Sequence, residues 1–407
     1  MGTDLISIEE AWARIATRAT PLPVERMPLD EALNRILAEP VMAPMDLPPF
    51  DNSAMDGYAL RAVETQQAQE ARPVTLTIAG EVAAGSWQDT AVAPGTAIKI
   101  MTGAALPSGT DTVLQLESGR LRDGVVEIRE PLPVGRHVRR RGEDVRRGQL
   151  LLEAGVRLNA QRLGLLANSG LADVHVYRPA RVSLLATGSE LVRAGQPLAP
   201  GQIYDSNRIV LRTLIAQTGS ICEDLGVVAD EPSAIAARIQ QELTADLALI
   251  SGGVSVGAHD YVKRVLRELG METLFWRINA KPGKPLLCGR RNQTWVFGLP
   301  GNPISCVVGF LLFLEPLIRL LHGERNAQPR YATARLTQPV SKKDERRTLL
   351  TARLVVRSDG SLEATPTEQQ GSAMMQALAQ ADAFVVVPED RSSIDAGETV
   401  QVLRFHE

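Results

Sequence analysis

The sequence predicts a multidomain α/β and β protein: a central doubly wound, mostly parallel α/β domain, a β-rich domain inserted into an N-terminal one, and a C-terminal β-barrel. Three observations carry this prediction. Between Arg178 and about Gly323, short apolar strands alternate with helical patterns, as in a parallel sheet with helices on both faces. From Asp51 to about Val145, brief alternating runs are separated by Gly, Pro and Asp turns. The tail from Gln328 to Glu407 holds several strand patterns and an Asp359-Gly360 hairpin signal, which suits a small barrel or sandwich. At 407 residues the chain exceeds one ordinary core. The expected domains are 1–45 plus 146–177, 46–145 (the insertion), 178–326 (α/β) and 327–407.

In chain order, Ile8, Ala11, Trp12 and Ile15 recur at helical spacing over Ser7 to Arg18, with Ser7 and Glu10 as a capping box. Leu29, Ala32, Leu33 and Ile36 predict a second helix from Leu29 to Leu37. Pro40, Pro44, Pro48 and Pro49 then enforce extended chain. Strands are expected at Val74 to Ile78, Ala97 to Met101 and Val125 to Ile128, followed by irregular and helical chain from Gly148 to Val176. The α/β region reads as strand Arg181 to Ala186, helix Ser206 to Gln217, strand Ile221 to Val228 and helix Glu231 to Leu243. It continues with strand Asp246 to Ser251, helix His259 to Leu269, and strands Met271 to Trp276 and Thr294 to Leu299. A helix from Pro303 to Leu321 ends it, with Pro303 near the first turn, where proline is tolerated.

Composition excludes some functions. Aromatic residues make up 4%, too few for the stacking platforms of a single-stranded nucleic-acid binder, and the formal net charge of -3 gives no global basic surface. Nucleic acid is therefore not an expected partner. Cys222, Cys288 and Cys306 are odd in number, far apart and without C-x-x-C spacing, so they read as small buried residues in a reducing compartment. The longest apolar run, Ile304 to Leu314, falls short of the roughly 20 residues of a membrane span, and the N-terminus lacks a basic n-region. A cytoplasmic protein with no membrane span is expected.

Three glycine-rich turns each follow an apolar strand: Thr187-Gly188-Ser189-Glu190, Ser251-Gly252-Gly253-Val254-Ser255-Val256-Gly257 and Leu299-Pro300-Gly301-Asn302-Pro303. At the C-termini of parallel strands such turns converge on one crevice, and glycine lets backbone N–H groups approach an anion. None matches a Walker A or Rossmann fingerprint, so the three together, not one motif, suggest a large phosphorylated ligand. Carboxylates lie near turns at Asp51, Asp56, Asp144, Glu190, Asp205, Asp230 and Asp260, and Mg²⁺ takes oxygen ligands from such groups, phosphate and water. Helix capping accounts equally for Asp205 and Asp230, turn formation for Asp51, and a helix start for Glu190 and Asp260. Lys281 and Lys284, in a stiff Lys-Pro-Gly-Lys-Pro loop, present ammonium groups suited to phosphate or oxyanions. Arg136, Arg139, Arg140, Arg141, Arg146 and Arg147 straddle Glu143 and Asp144, as a solvated face or an anion clamp.

Seven motifs occur in order: Asp51-Asn52-Ser53-Ala54-Met55-Asp56-Gly57-Tyr58, Met101-Thr102-Gly103-Ala104, Arg140-Arg141-Gly142-Glu143-Asp144, the three glycine turns, and Lys281-Pro282-Gly283-Lys284-Pro285 before the last of them. Together they closely resemble the MoeA / gephyrin E-domain family of molybdopterin molybdenumtransferases, over nearly the whole chain. The resemblance implies a four-domain, elongated subunit in a homodimer, with a MogA-like central domain. It implies that this domain binds adenylylated molybdopterin, that molybdate is inserted with Mg²⁺-assisted release of AMP, and that the adenylylating enzyme and downstream cofactor-maturation proteins are partners. It carries catalytic roles onto Asp56, Thr102, Asp144, Glu190, Asp230 and Asp260, with Glu190 and Asp260 as metal ligands. It matches Lys281, Lys284, Pro300 and Pro303 to pterin-phosphate and loop positions; the glycine turns themselves add Gly188, Ser251, Gly252, Gly253, Ser255, Gly257, Gly301 and Asn302 as expected cofactor-binding residues, and the arginine run adds Arg139. It also implies a cleft between subunits, with the N-terminal acids contributed by one of them. Two departures stand out: Ser189 replaces the Asp of many members, and Glu345 to Arg353 lacks the usual Gly-Arg-x-x-Phe-x-Arg pattern. The competing readings are a molybdopterin adenylyltransferase working through the α/β domain alone, and a non-enzymatic scaffold.

Overall fold

The computed structural model describes residues 5–86, 91–254 and 261–406. The first helix, Ile8–Ala16, starts as its capping box dictates: Ser7 is extended and its side chain accepts from the Glu10 N–H at 3.0 Å. Its stripe of Ile8, Ala11, Trp12 and Ile15 is buried. The second expected helix does not form. Only Leu29–Glu31 makes a 3₁₀ turn, while Ile36 and Leu37 bridge to Arg157 and Val176. Asn34 has a φ of 65°, a left-handed conformation that ends any helix passing through it, and Ala32 and Leu37 gain burial against Leu158 and Leu166 instead.

Chain before residue 43 lies against chain after residue 148: Val24–Pro28 pairs antiparallel with Asp173–Tyr177, and Val41–Met42 with Leu150–Leu152. Two adjacent backbones then form a neck, where the Ala43 N–H donates to Gln149 O at 2.8 Å and Leu47 bridges to Val145. Beyond the neck is a six-stranded sheet in the order Thr112–Gln115, Gly57–Leu60, Thr96–Ile100, Val74–Val82, Val125–Ile128, Arg120–Arg122. Period-2 alternation feeds two cores, with Tyr58 and Leu60 in one and Ala59 in the other.

The central sheet runs Ile221–Val228, Arg181–Thr187, Leu247–Ser251, Thr294–Leu299, Leu287–Arg291, Glu272–Trp276. The first four strands are parallel, and only Leu287–Arg291 opposes its neighbours. That strand escaped the sequence reading because Gly289, Arg290 and Arg291 interrupt its apolar run. Leu211 and Ile215 of the Asn207–Gln217 helix cover one face, and Ile235, Ile239, Val262 and Val265 of the Pro232–Glu242 and Tyr261–Glu268 helices cover the other.

Pro303–Leu321 is one continuous helix with a π segment at Phe310–Leu314, just before Pro316. Proline has no N–H to give the regular ladder, which accounts for the irregularity. The helix is long and apolar enough to cross a membrane, yet 94% of its apolar window is buried in the fold. Phe310, Phe313 and Leu317 share one core with Trp12, Phe297 and the tail residues Leu349 and Phe384. In the tail, Arg347–Val356, Leu362–Pro366, Tyr331–Leu336, Thr399–Arg404 and Ala383–Val387 close into a five-stranded barrel, because the last pairs back with the first. The expected turn at Asp359-Gly360 is present, with Gly360 at a φ of 83°.

Candidate active site

Thr187, Val228, Ser251 and Leu299 end parallel strands on one edge of the central sheet. The turns leaving them are tied together: the Gly188 N–H donates to Val228 O at 3.2 Å and the Gly252 N–H to Leu299 O at 2.9 Å. Glycine is required at two positions. Gly252 and Gly253 have φ values of 97° and 66°, and a Cβ would lie 2.4 Å from Thr187 O and 2.6 Å from Val262 Cγ2 respectively. Asn207 Nδ2 reaches Ser251 Oγ at 3.3 Å and Gly301 O at 2.7 Å, linking the second and third turns. Pro303 opens the helix that follows. Gly188, Ser251, Gly252, Gly253, Pro300, Gly301 and Asn302 thus belong to one strand-end edge. Ser255, Gly257 and Asp260 lie outside the described residues.

Glu190 and Asp230 depart from their helix-start and capping readings, whereas Asp205 follows its own. Glu190 is not in a helix. The chain turns after Gly188 into the short strand Leu191–Val192, and Glu190 is exposed with its carboxylate beside Gly188. Asp230 does not cap the Pro232–Glu242 helix; its Oδ2 accepts from the Ser189 N–H at 3.4 Å and its own N–H donates to Ser189 Oγ at 3.2 Å. Glu190 and Asp230 therefore flank the first glycine turn. Asp205 does act structurally: buried, it accepts from the Arg208 N–H at 3.1 Å and Nε at 2.8 Å, and Arg208 also pairs with Asp224. Among the described residues, no three His, Cys, Asp or Glu side chains gather as a metal site.

The N-terminal motifs, far apart in sequence, lie side by side beyond the neck. Asn52 pairs with Arg139 on one side and bridges to Ala105 on the other. Asp56 Oδ1 accepts from both the hydroxyl and the N–H of Thr102, each at 2.7 Å. These two bonds, the hydroxyl's first, hold the Asp56 carboxyl below the usual range. Asp144 is exposed, and its N–H donates to Leu47 O at 3.1 Å. Arg140 pairs with Asp51 and Arg141 with Asp46, so much of the arginine run is neutralised by neighbouring acids. Among the described residues, the hydrogen bonds of Asp56, Thr102 and Asp144 stay beyond the neck and do not reach the strand-end turns.

A cleft of about 500 Å³ opens beside the third turn. Lys281 and Lys284 line it together with Pro300 and Asn302, and the barrel contributes Lys342, Lys343 and Arg346. Lys281 Nζ lies 3.6 Å from Asp344 Oδ2, and Lys342 Nζ donates to Arg346 O at 2.7 Å. Burial pushes the Lys342 ammonium below its ordinary range. Sequence reasoning missed the three barrel cations. They sit in the mixed-charge run Lys342-Lys343-Asp344-Glu345-Arg346, which carries no turn or spacing signal of its own.

Family profiles match residues 6–170 as "MoeA N-terminal region (domain I and II)", 183–320 as "Probable molybdopterin binding domain" and 333–405 as "MoeA C-terminal region (domain IV)". The molybdopterin molybdenumtransferase of Haemophilus influenzae is 38% identical, covering 99% of both chains; that of Bacillus subtilis is 32% identical, covering 99% of this chain and 94% of its own. Two structures of molybdopterin biosynthesis MoeA protein from Pyrococcus horikoshii each cover 99% of this chain and 100% of theirs, at 35% identity with TM-score 0.85 and 28% with 0.83. The chain belongs to the MoeA family of molybdopterin molybdenumtransferases, transferases of molybdenum cofactor biosynthesis.

Proposed function

We propose that this enzyme takes adenylylated molybdopterin and molybdate as substrates, joins molybdenum to the dithiolene and releases AMP. The observation that carries this reading is the shared third turn. Pro300 and Asn302 belong both to the strand-end edge, suited to a phosphorylated ligand, and to the cleft lined by Lys281, Lys284, Lys342, Lys343 and Arg346. A phosphate-bearing ligand and a tetrahedral oxyanion held in these places would meet at one turn. The cleft cations bind the oxyanion by charge-assisted hydrogen bonds, and the turn amides orient the phosphates. On insertion both thiol protons leave with one molybdate oxygen as water, while a second water cleaves the phosphoanhydride to give AMP.

The first turn fits Mg²⁺ in its donor set: Glu190 and Asp230 are two carboxylates at one turn, the usual protein share for this ion at a phosphate site; Asp260, the other expected ligand, lies outside the described residues. Bound there, the ion would neutralise charge on phosphoryl oxygens. Asp56, Thr102, Arg139 and Asp144 act from the body beyond the neck, which we assign to the site of a partner subunit in a homodimer. Such a chain works in the cytoplasm beside the enzyme that adenylylates molybdopterin.

The test is reconstitution. Purified protein with adenylylated molybdopterin, molybdate and Mg²⁺ should release AMP and yield cofactor that activates an apo-molybdoenzyme. Asp56→Ala should lose insertion by about 100-fold or more with an unchanged melting temperature. Unimpaired insertion by that variant removes Asp56 from the mechanism. Adenylylated product formed from ATP and molybdopterin would instead mark an adenylyltransferase.

A further inference from the structure

Two consecutive carbonyls of the third turn are held by side chains from outside it. Cys306 Sγ donates to Pro300 O at 2.8 Å, and Asn207 Nδ2 donates to Gly301 O at 2.7 Å. The Gly301 carbonyl fixes which end of the Asn207 amide faces it, because only the NH₂ end can donate. Ser251 Oγ accepts from Asn207 at 3.3 Å and lies 3.7 Å from Cys306 Sγ, so the second and third turns share one small lattice. Neither the Pro300–Gly301 nor the Gly301–Asn302 peptide is cis. In a trans peptide the carbonyl and the following N–H point in opposite directions. Drawing Pro300 O towards buried Cys306, and Gly301 O towards Asn207, turns the N–H groups of Gly301 and Asn302 the other way. Both residues are exposed, and Pro303 has no N–H to add.

We propose that Cys306 and Asn207 are positioning residues for the transfer reaction: together they set the direction in which the Gly301 and Asn302 amides face the phosphorylated substrate. The inference rests on the anion-binding reading of this turn. Burial raises the Cys306 thiol to about 12, so it stays protonated and remains a donor at neutral pH.

Three variants of the full chain test it: Cys306→Ala, Cys306→Ser and Asn207→Ala. Serine and alanine leave similar space at residue 306, but only serine keeps a donor. Selective ¹⁵N-glycine labelling follows the Gly301 amide in the ligand-free protein, calorimetry follows AMP binding, and steady-state assays separate KM from kcat. Cys306→Ala and Asn207→Ala should move the Gly301 resonance, weaken AMP binding about fivefold and raise KM more than they lower kcat. Cys306→Ser should stay near wild type in all three. The inference is overturned if serine is as impaired as alanine, which would mark a packing role. It is equally overturned if both alanine variants leave the Gly301 amide unmoved. Failure of the wild-type protein to bind AMP would sink the phosphate reading alone, because the Gly301 comparison needs no ligand.

Discussion

At the scale of single residues, burial and hydrogen bonding decide which polar groups work as structure and which remain for chemistry. His322 is buried where the Pro303–Leu321 helix ends, and its Nε2 accepts from the Ala180 N–H at 2.9 Å. That requires the neutral ring. Burial, helped by Arg157 and Arg35, lowers the ring's pKa from 6.5 to about 4. Because the folded state resists protonation, its contribution is complete above about pH 6.5 and fades as pH falls towards 4. Melting curves should therefore drop in temperature across that window, and His322→Gln, which keeps an acceptor without titrating, should flatten the slope. Asp56 is the opposite case. Exposed and held ionised by Thr102, its carboxylate ties two motifs that are 46 residues apart in sequence, and it was the motif, not burial, that marked it as a candidate. Lys342, Lys343 and Arg346 were not legible, because only the closure of the barrel against the Lys281–Pro285 loop brings them to the cleft beside the third turn.

At the scale of elements, the sequence was clearest where an apolar run is bounded by turns on both sides. Val125–Ile128 and Thr294–Leu299 form over the spans their patterns predict. It misled at Leu29 to Leu37, where helical spacing was real but a left-handed Asn34 and strand-like bridges to Arg157 and Val176 prevailed. The glycine turns show how element and site are coupled. At Gly252 a methyl group would both occupy a left-handed conformation and press on the Thr187 carbonyl. Gly252→Ala should cost about 1–3 kcal/mol and abolish AMP binding. Denaturant unfolding and calorimetry check the two effects separately.

At the scale of the whole molecule, the Pro303–Leu321 helix unites parts that sequence analysis treats as distinct domains. Its side chains share a core with the N-terminal Trp12, the central sheet and the barrel residues Leu349 and Phe384. Trp12→Ala should therefore cost about 3–5 kcal/mol, the usual range for emptying a large aromatic site. Loss of a single cooperative transition spanning the α/β part and the barrel, seen by calorimetry, is the accompanying signature. The six-stranded sheet beyond the neck stands apart from this shared core, with its own apolar clusters. Its chain enters and leaves through Ala43 and Gln149, one hydrogen bond apart. In wiring terms that sheet is a cassette: it can be lengthened, exchanged between relatives or excised at a single junction while the remaining circuit stays uncut.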